Sequence, residues 1–504
     1  MTLDMLLFGD ALGGDDLAVC ASDVRTTVAS LRARADVVAG ALRAAGAGPG
    51  SGVVVMLPNG PDLVATLFGV WRAGGVYVPL NPRLTGPELV HVLRSVRPSV
   101  LVTTSGLRTR AIDLPTVVLD VGVDPTVEPQ ASAAGDEKPM AFEPGVALVQ
   151  FTSGTTGRPK PVLLRHDGVL ELLDGVIGTV RRPAAPGAPP PMPMPNLVPV
   201  SLSLWAGIYQ VLFAFRVGAP VVVMETFEPG RFASLVREFG IRSTVLPPAA
   251  MTMLCDDPDV TDLTPLRYVR SITAPLSPLQ ARRFRDRFGI AIMNGYGQTE
   301  IGGEIVGWSG ADAKEWGDEK LGSVGRPHRD VSIRAVDADG ATLPADEPGE
   351  LWVLTPALSA GYADGSDLGD RLSADGWFRT GDIGRIDDDG FVWIEGRVSD
   401  MINRGGLKVF PDEVAEVLRL SPAVADAAVV GVPDDRLGEV PWAFVVATDP
   451  SSSPTSAELD ELARRHLAPY KVPVRYHLIP ELPRNEVGKV LGKDLVLRAT
   501  EVGA

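Results

Sequence analysis

Apolar residues alternate along the chain between two textures. Val28, Leu31, Ala35, Val38 and Leu42 recur at helical spacing within 24–46, with arginines between them, and predict an amphipathic helix. Gly52-Val53-Val54-Val55-Met56-Leu57 is an unbroken run of strand length. A turn at Asn59-Gly60, an apolar helix over 63–73 and a strand over 74–80 follow it. A helix over 88–95 and strands at 100–102 and 117–119 continue the pattern, and polar 128–144 reads as a connecting loop. Strand, helix and strand repeating at this interval predict parallel pairing through right-handed crossovers. A helix at 168–180 and a Pro- and Ala-rich surface loop at 181–195 come next, and a second αβ block is then expected from strands at 221–223 and 243–246 and helices at 231–239 and 278–288. The uncharged stretch 197–215 is read as one buried helix. Pro199 and Gly207 interrupt it and Arg216 closes it, which argues against a membrane span.

From 323 to 395 the texture changes to short strands around Asp339-Gly340 and Asp389-Gly390, predicting a compact antiparallel region. Beyond Arg397 a helix over 411–418, strands over 424–432 and 443–446, and a helix over 457–466 predict a smaller α+β piece. The expected architecture is α/β. An N-terminal domain, 1–397, carries two αβ-layered sheets and a small β-barrel-like region, and a small α+β C-terminal domain, 398–504, follows.

Composition narrows the chemistry. The net charge of −16, from 47 basic and 63 acidic residues in 504, disfavours nucleic-acid and anionic-membrane partners. A bound nucleotide would therefore depend on a few placed cations. Cys20 and Cys255 stand far apart, so neither a disulfide framework nor a thiolate metal site is expected, and the N-terminus lacks the basic and cleavage features of a signal peptide. A cytoplasmic protein, monomer or homodimer, is the expectation. The five histidines are scattered, and His328-Arg329-Asp330 mimics a kinase catalytic loop without its metal-binding Asn.

The chemistry-bearing stretch is Thr152-Ser153-Gly154-Thr155-Thr156-Gly157-Arg158-Pro159-Lys160, which follows an apolar strand. Glycines let backbone N–H groups turn toward an anion, hydroxyls add donors and a lysine adds charge. Alone, such a loop is most simply a flexible polar turn. Four further stretches follow in order. These are Asn294-Gly295-Tyr296-Gly297-Gln298-Thr299-Glu300, Trp377 to Asp382, Gly396 to Val414, and Leu482 to Val490 with Lys489. Together with Trp71 to Gly75 and Pro79 to Pro82, the set resembles the acyl-adenylate-forming superfamily over nearly the whole chain, with the texture of bacterial acyl-CoA ligases.

The resemblance implies ATP-dependent activation of a carboxylic acid as acyl-AMP, release of pyrophosphate, and transfer to coenzyme A, with Mg2+ and a mobile C-terminal domain. It assigns catalysis to Lys489, Glu300 and Thr299. ATP and AMP would be held by Thr152, Ser153, Gly154, Thr155, Thr156, Gly157, Lys160, Thr273, Ala274, Pro275, Asn294, Gly295, Tyr296, Gly297, Gln298, Asp382, Ile394 and Arg397. Glu300 and Thr155 would meet the metal. Ser399, Asp400, Gly405, Gly406 and Lys408 would form the hinge and the coenzyme A channel. Leu204, Trp205, Tyr209, Ile272, Gly302 and Gly303 would line a pocket for a compact or aromatic acid.

The chain also departs from the family's pattern. Leu204 replaces a histidine, Ile272 and Thr273 stand in a Gly-Gly position, Ser399 replaces a charged hinge residue, and Pro161 follows Lys160 in place of glycine. These departures keep alternatives open, namely loading of a carrier protein or a diazotase-type activation of nitrite toward an aryl amine.

Overall fold

The computed structural model describes residues 1–104, 107, 117–120, 126–129, 138–152, 160–180, 193–274, 276, 278–366, 368–484 and 490–503. Its first sheet has seven strands in the order Thr126–Pro129, Val117–Asp120, Val100–Thr103, Gly52–Val55, Val76–Pro79, Val146–Thr152 and Lys160–Arg165. The interior pairings are parallel, with Val53 opposite both Tyr77 and Val100 and Tyr77 opposite Leu148. The two outer pairings are antiparallel. Strands 52–55, 76–79 and 100–103 are buried throughout, as continuous apolar runs require when a sheet is covered on both faces. The antiparallel strand Thr126–Pro129 occupies the start of a stretch that reads as connecting loop in the sequence.

Helix Pro61–Arg72 buries every residue from Leu63 to Trp71. Trp71 donates its indole N–H to the Ala147 carbonyl at 2.8 Å, fixing this helix to the strand that leads into the phosphate-type loop. Helix Val28–Ala44 begins four residues later than the periodicity implies, because Val24–Thr27 pairs as a strand with Leu17–Ala21. The Thr27 hydroxyl then caps the helix by accepting from the Ser30 amide.

That N-terminal strand joins the second layer, ordered Asn196–Val198, Val221–Val223, Leu17–Ala21, Val24–Thr27. A three-stranded parallel sheet of Ser243–Leu246, Tyr268–Ser271 and Ala291–Asn294 lies in the same half. The stretch 197–215 is not one helix. Residues 196–198 form a strand, and only Trp205–Arg216 is helical. Between them Asn59 breaks the run: its amide donates to the Val200 and Met224 carbonyls, and its oxygen accepts from the Leu202 amide at 2.9 Å. No described helix is long and apolar enough to cross a membrane.

Strands Ser332–Val336, Gly349–Leu354, Phe378–Ile386 and Val392–Arg397 form an antiparallel sheet in chain order. Beside it, Tyr296–Gln298, Gly303–Gly307 and Arg326–Pro327 pair antiparallel. From Ile402 onward the chain builds its own apolar clusters around strands Val424–Asp434 and Gly438–Ala447. The hairpin Ile402–Arg404/Leu407–Val409, strand Arg475–Leu478 and helix Gly492–Gly503 are additions to the sequence reading there.

Candidate active site

Asp382 stands on strand Phe378–Ile386, directly across the ladder from Arg397. It is 3% exposed. Tyr296 donates its phenol to Oδ2 at 2.7 Å, Gln298 donates its amide to the same oxygen at 2.6 Å, and the Arg397 Nε lies 3.1 Å from Oδ1. Burial and the neighbouring Asp382 charge push the Tyr296 phenol well above its ordinary pKa, so it remains a donor. Three stretches that the sequence singles out thus converge on one buried carboxylate.

Glu300, 8% exposed, lies in the short helical turn Thr299–Ile301. Its carboxylate meets a residue absent from every sequence motif: the Arg371 Nη1 is 3.2 Å from Oε1. The Arg371 Nη2 donates at 2.9 Å to both the Gln298 side-chain oxygen and the Thr380 carbonyl. Its guanidinium also lies 4.3 Å from the centre of the Phe378 ring. Arg371 therefore binds Glu300, Gln298 and the Asp382 strand into one unit. It sits in a Gly-Asp turn and has neither period nor spacing to mark it.

Of the residues expected on the acid side, Trp205 donates its indole N–H to the Gly302 carbonyl at 2.7 Å. Gly302 and Gly303 both have positive φ. A side chain on Gly303 would meet the Trp205 indole nitrogen at 2.8 Å, so the close approach requires glycine. Tyr209, one turn further along the same helix, meets Trp205 edge-on at 5.8 Å. Leu204 is the residue before this helix and supplies no cap. Ile272 and Ala274 are half-buried and Thr273 is exposed with φ of 76°, a left-handed conformation that a β-branched residue rarely adopts. Pro275 lies outside the described residues.

Thr152 faces Lys160 across the strand pair. The Thr152 hydroxyl is buried with no hydrogen-bond partner among the described residues, and Lys160 Nζ lies 5.1 Å from the Tyr362 ring centre. Ser153, Gly154, Thr155, Thr156, Gly157 and Lys489 lie outside the described residues. Asn294 closes the strand Ala291–Asn294, Gly295 abuts the Glu304 side chain and Gly297 packs against the Gly303 backbone. Ile394 is half-buried on strand Val392–Arg397. Ser399 bonds to Asp400 in the turn after Arg397. Gly405 and Gly406, with φ of 60° and 91°, make a two-residue hairpin turn whose hydrogen bonds go to Leu437 and Asn403. Lys408 is exposed on the same hairpin. The hydrogen bonds of this turn do not reach the Asp382–Glu300 group.

Residues 11–363 match the family model described as AMP-binding enzyme, and 413–489 match the AMP-binding enzyme C-terminal domain. The chain belongs to the AMP-binding enzyme family. As such it is an ATP-dependent, AMP-forming ligase of the acyl-CoA synthetase type. It is 33% identical to a feruloyl-CoA synthase of Amycolatopsis sp, over 92% of each chain. To a fatty acid–[acyl-carrier-protein] ligase of Streptomyces coeruleorubidus it is 31% identical, over 93% of this chain and 91% of that one. The amide bond synthetase McbA of Marinactinospora thermotolerans superposes with a TM-score of 0.84 at 29% identity, covering 99% of both chains.

The donor set of this AMP-binding enzyme fits Mg2+. Among the described residues no group of three or more His, Cys, Asp or Glu could cage a metal ion. Glu300 instead offers a single buried carboxylate steadied by Arg371, matching a cation that binds through one or two carboxylates and substrate phosphates.

Proposed function

We propose that this enzyme joins a compact or aromatic carboxylic acid to coenzyme A through its acyl-adenylate. The observation that carries the reading is the convergence of Tyr296, Gln298 and Arg397 on the Asp382 carboxylate, with Glu300 tied to the same group through Arg371. A carboxylate has about four acceptor sites, so with three donors already on it Asp382 keeps one, on Oδ1, for a ribose hydroxyl, and a second hydroxyl would take the place of one of those donors. Tyr296 would carry adenine, and Arg397 would neutralise charge near the ribose and α-phosphate. The 152–160 segment would receive pyrophosphate. When bound, Mg2+ supplies positive charge between the phosphates, and Glu300 with Thr155 would hold it.

The chemistry is mainly alignment. A carboxylate and a phosphate must be brought in line while their mutual repulsion is neutralised. Lys489 would bridge the two anions. The C-terminal domain, taken as 398–504, would then turn about Ser399-Asp400 to remove Lys489 and bring Gly405-Gly406 to the adenylate. Trp205 seated over Gly302-Gly303 supports a flat acid, and the feruloyl-CoA synthase likeness supports the same class.

A second acceptor is favoured by one observation. Leu204, at the head of helix Trp205–Arg216, offers no hydrogen bond where the family resemblance implies a histidine, and the similar proteins include a carrier-protein ligase and an amide bond synthetase. Pyrophosphate release should be measured across an acid panel with coenzyme A, a carrier protein, or nitrite plus an aryl amine. Acid-dependent release with a coenzyme A thioester product is the expected result. Release only with nitrite and amine would overturn the reading, and turnover only with the carrier protein would move the acceptor.

A further inference from the structure

Directly after Gly303 the chain buries a charged side chain, Glu304. Glu304 and Arg270 form an ion pair at 2.6 Å, each side chain only 13% exposed. His328, buried on the loop after strand Arg326–Pro327, puts Nε2 3.1 Å from the same Glu304 oxygen and Nδ1 3.2 Å from the Thr179 hydroxyl. Burial works to raise the Glu304 carboxyl, but the Arg270 charge and the His328 hydrogen bond outweigh it, holding the group below its usual range and ionised. Beside this network the Tyr209 hydroxyl and the Arg270 Nε are buried with no hydrogen-bond partner among the described residues. The Tyr209 phenol is pushed upward, first by burial and then by the Glu304 charge, so it keeps its proton.

The position matters as much as the composition. Glu304 follows Gly303, against which the Trp205 indole rests, and its strand pairs with the Tyr296–Gln298 strand of the nucleotide group. Tyr209 is one turn beyond Trp205, and Arg270 is two residues before Ile272. The network therefore adjoins Tyr209 and the Trp205–Gly303 contact, on the side expected to receive the acid. A buried ion pair adds little to stability compared with apolar residues of the same size, and buried donors left unpaired cost free energy. Nothing in nucleotide handling uses Arg270, Glu304 or Tyr209.

We propose that Tyr209, Arg270 and Glu304 recognise a neutral oxygen substituent, foremost a hydroxyl, on the far end of an aromatic acid. The inference rests on the acid-activating reading above. Arg270 Nε can only donate and Tyr209 retains its proton, so the unmatched groups call for an acceptor oxygen. The Arg270 charge is already balanced by Glu304, which disfavours a second carboxylate on the substrate. A methyl group in the same place would leave the donors unpaired. Tyr209, Arg270 and Glu304 are thereby specificity residues, with His328 positioning Glu304.

The experiment uses the full-length enzyme and matched acids carrying a para-hydroxyl, para-methyl or para-carboxyl group on benzoate and cinnamate frames, with pyrophosphate release as the readout. The wild type should prefer the hydroxyl member over the methyl isostere by about 10-fold or more in kcat/KM. Y209F should reduce that preference by about 10- to 100-fold without lowering Tm, since the hydroxyl has no partner to lose. E304Q should move preference toward the para-carboxyl acid by leaving the Arg270 charge unbalanced. If E304Q does not fold, Y209F still decides. Equal or better turnover of the methyl acid, fastest turnover of the carboxyl acid by wild type, or an equal fall on all acids in Y209F would overturn the proposal. Pyrophosphate release from no carboxylic acid at all, with ATP binding intact, would overturn the acid-activating reading and this inference with it.

Discussion

Asp382 holds three donors on two oxygens, and each partner can be removed separately. D382A should raise KM for ATP by about 10- to 100-fold, the scale of losing charge-assisted hydrogen bonds to a buried carboxylate. Initial rates of pyrophosphate release against ATP concentration check this, and an unchanged KM would remove Asp382 from the ribose site. R371M should cut kcat/KM by roughly 10-fold or more and raise the Mg2+ concentration needed for half-maximal rate, because it releases Glu300. A Mg2+ titration of both proteins separates that positioning effect from simple unfolding. That Tyr296, Gln298, Glu300, Asp382 and Arg397 belong together was legible because the family resemblance marks short segments around each of them, and the structure brings those side chains into one group. Arg371 was not, since it is separated from Glu300 by 71 residues and nothing local marks it. Arg270, Glu304 and His328 were hidden for the same reason: burial, not sequence neighbours, turns an ordinary Arg, Glu and His into a network.

At the scale of elements, unbroken apolar runs located the parallel strands well, and capping residues rather than periodicity set several boundaries. Thr27 starts its helix after a strand that hydrophobic spacing could not separate from it. Asn59 splits 197–215 through contacts more than a hundred residues away, beyond the reach of a local reading. Gly297 shows how tightly two elements meet: a Cβ there would lie 1.7 Å from the Gly303 carbonyl oxygen. G297A should therefore force the Tyr296–Gln298 and Gly303–Gly307 strands apart, with a clear fall in Tm measured by calorimetry. Thr273 carries the opposite expectation. Its φ of 76° is strained, and T273G should stabilise the fold by about 1 kcal/mol in a denaturant titration. His166 ties the first helical turn to the core, accepting the Leu3 amide on Nδ1. Burial lowers its pKa from 6.5 to about 4, against a raising influence from Asp4. Its contribution to stability is full above about pH 6.5 and is lost as pH falls toward 4, because the unfolded chain takes up the proton first. H166N should flatten that part of the stability profile.

Across the whole molecule, a chain of net charge −16 handles two polyanions, ATP and coenzyme A. Local cations must supply what the overall field does not. Arg371 and Arg397 stand in the Asp382–Glu300 group, Lys160 beside the phosphate-type segment, and Lys489 at the far end of the chain. The residues after Ile402 have apolar clusters of their own, while helix Pro411–Leu418 packs on the Arg397 strand and Phe410 covers Gly396. A rotation about Ser399-Asp400 would carry Lys489 with this second core and leave Asp382, Tyr296 and Glu300 in place. The order of strands in each sheet was not legible, because recruitment of Leu17–Ala21 between Val221–Val223 and Val24–Thr27 depends on long-range pairing. In the proposed function one site performs adenylation with Lys489 and thioester formation without it. The most direct test measures both half-reactions in K489A. Pyrophosphate formation from acid and ATP should fall by at least about 10²-fold, while supplied acyl-adenylate is still converted to coenzyme A thioester at a rate close to wild type. An equal loss of both half-reactions in a folded K489A protein would contradict the two-pose account.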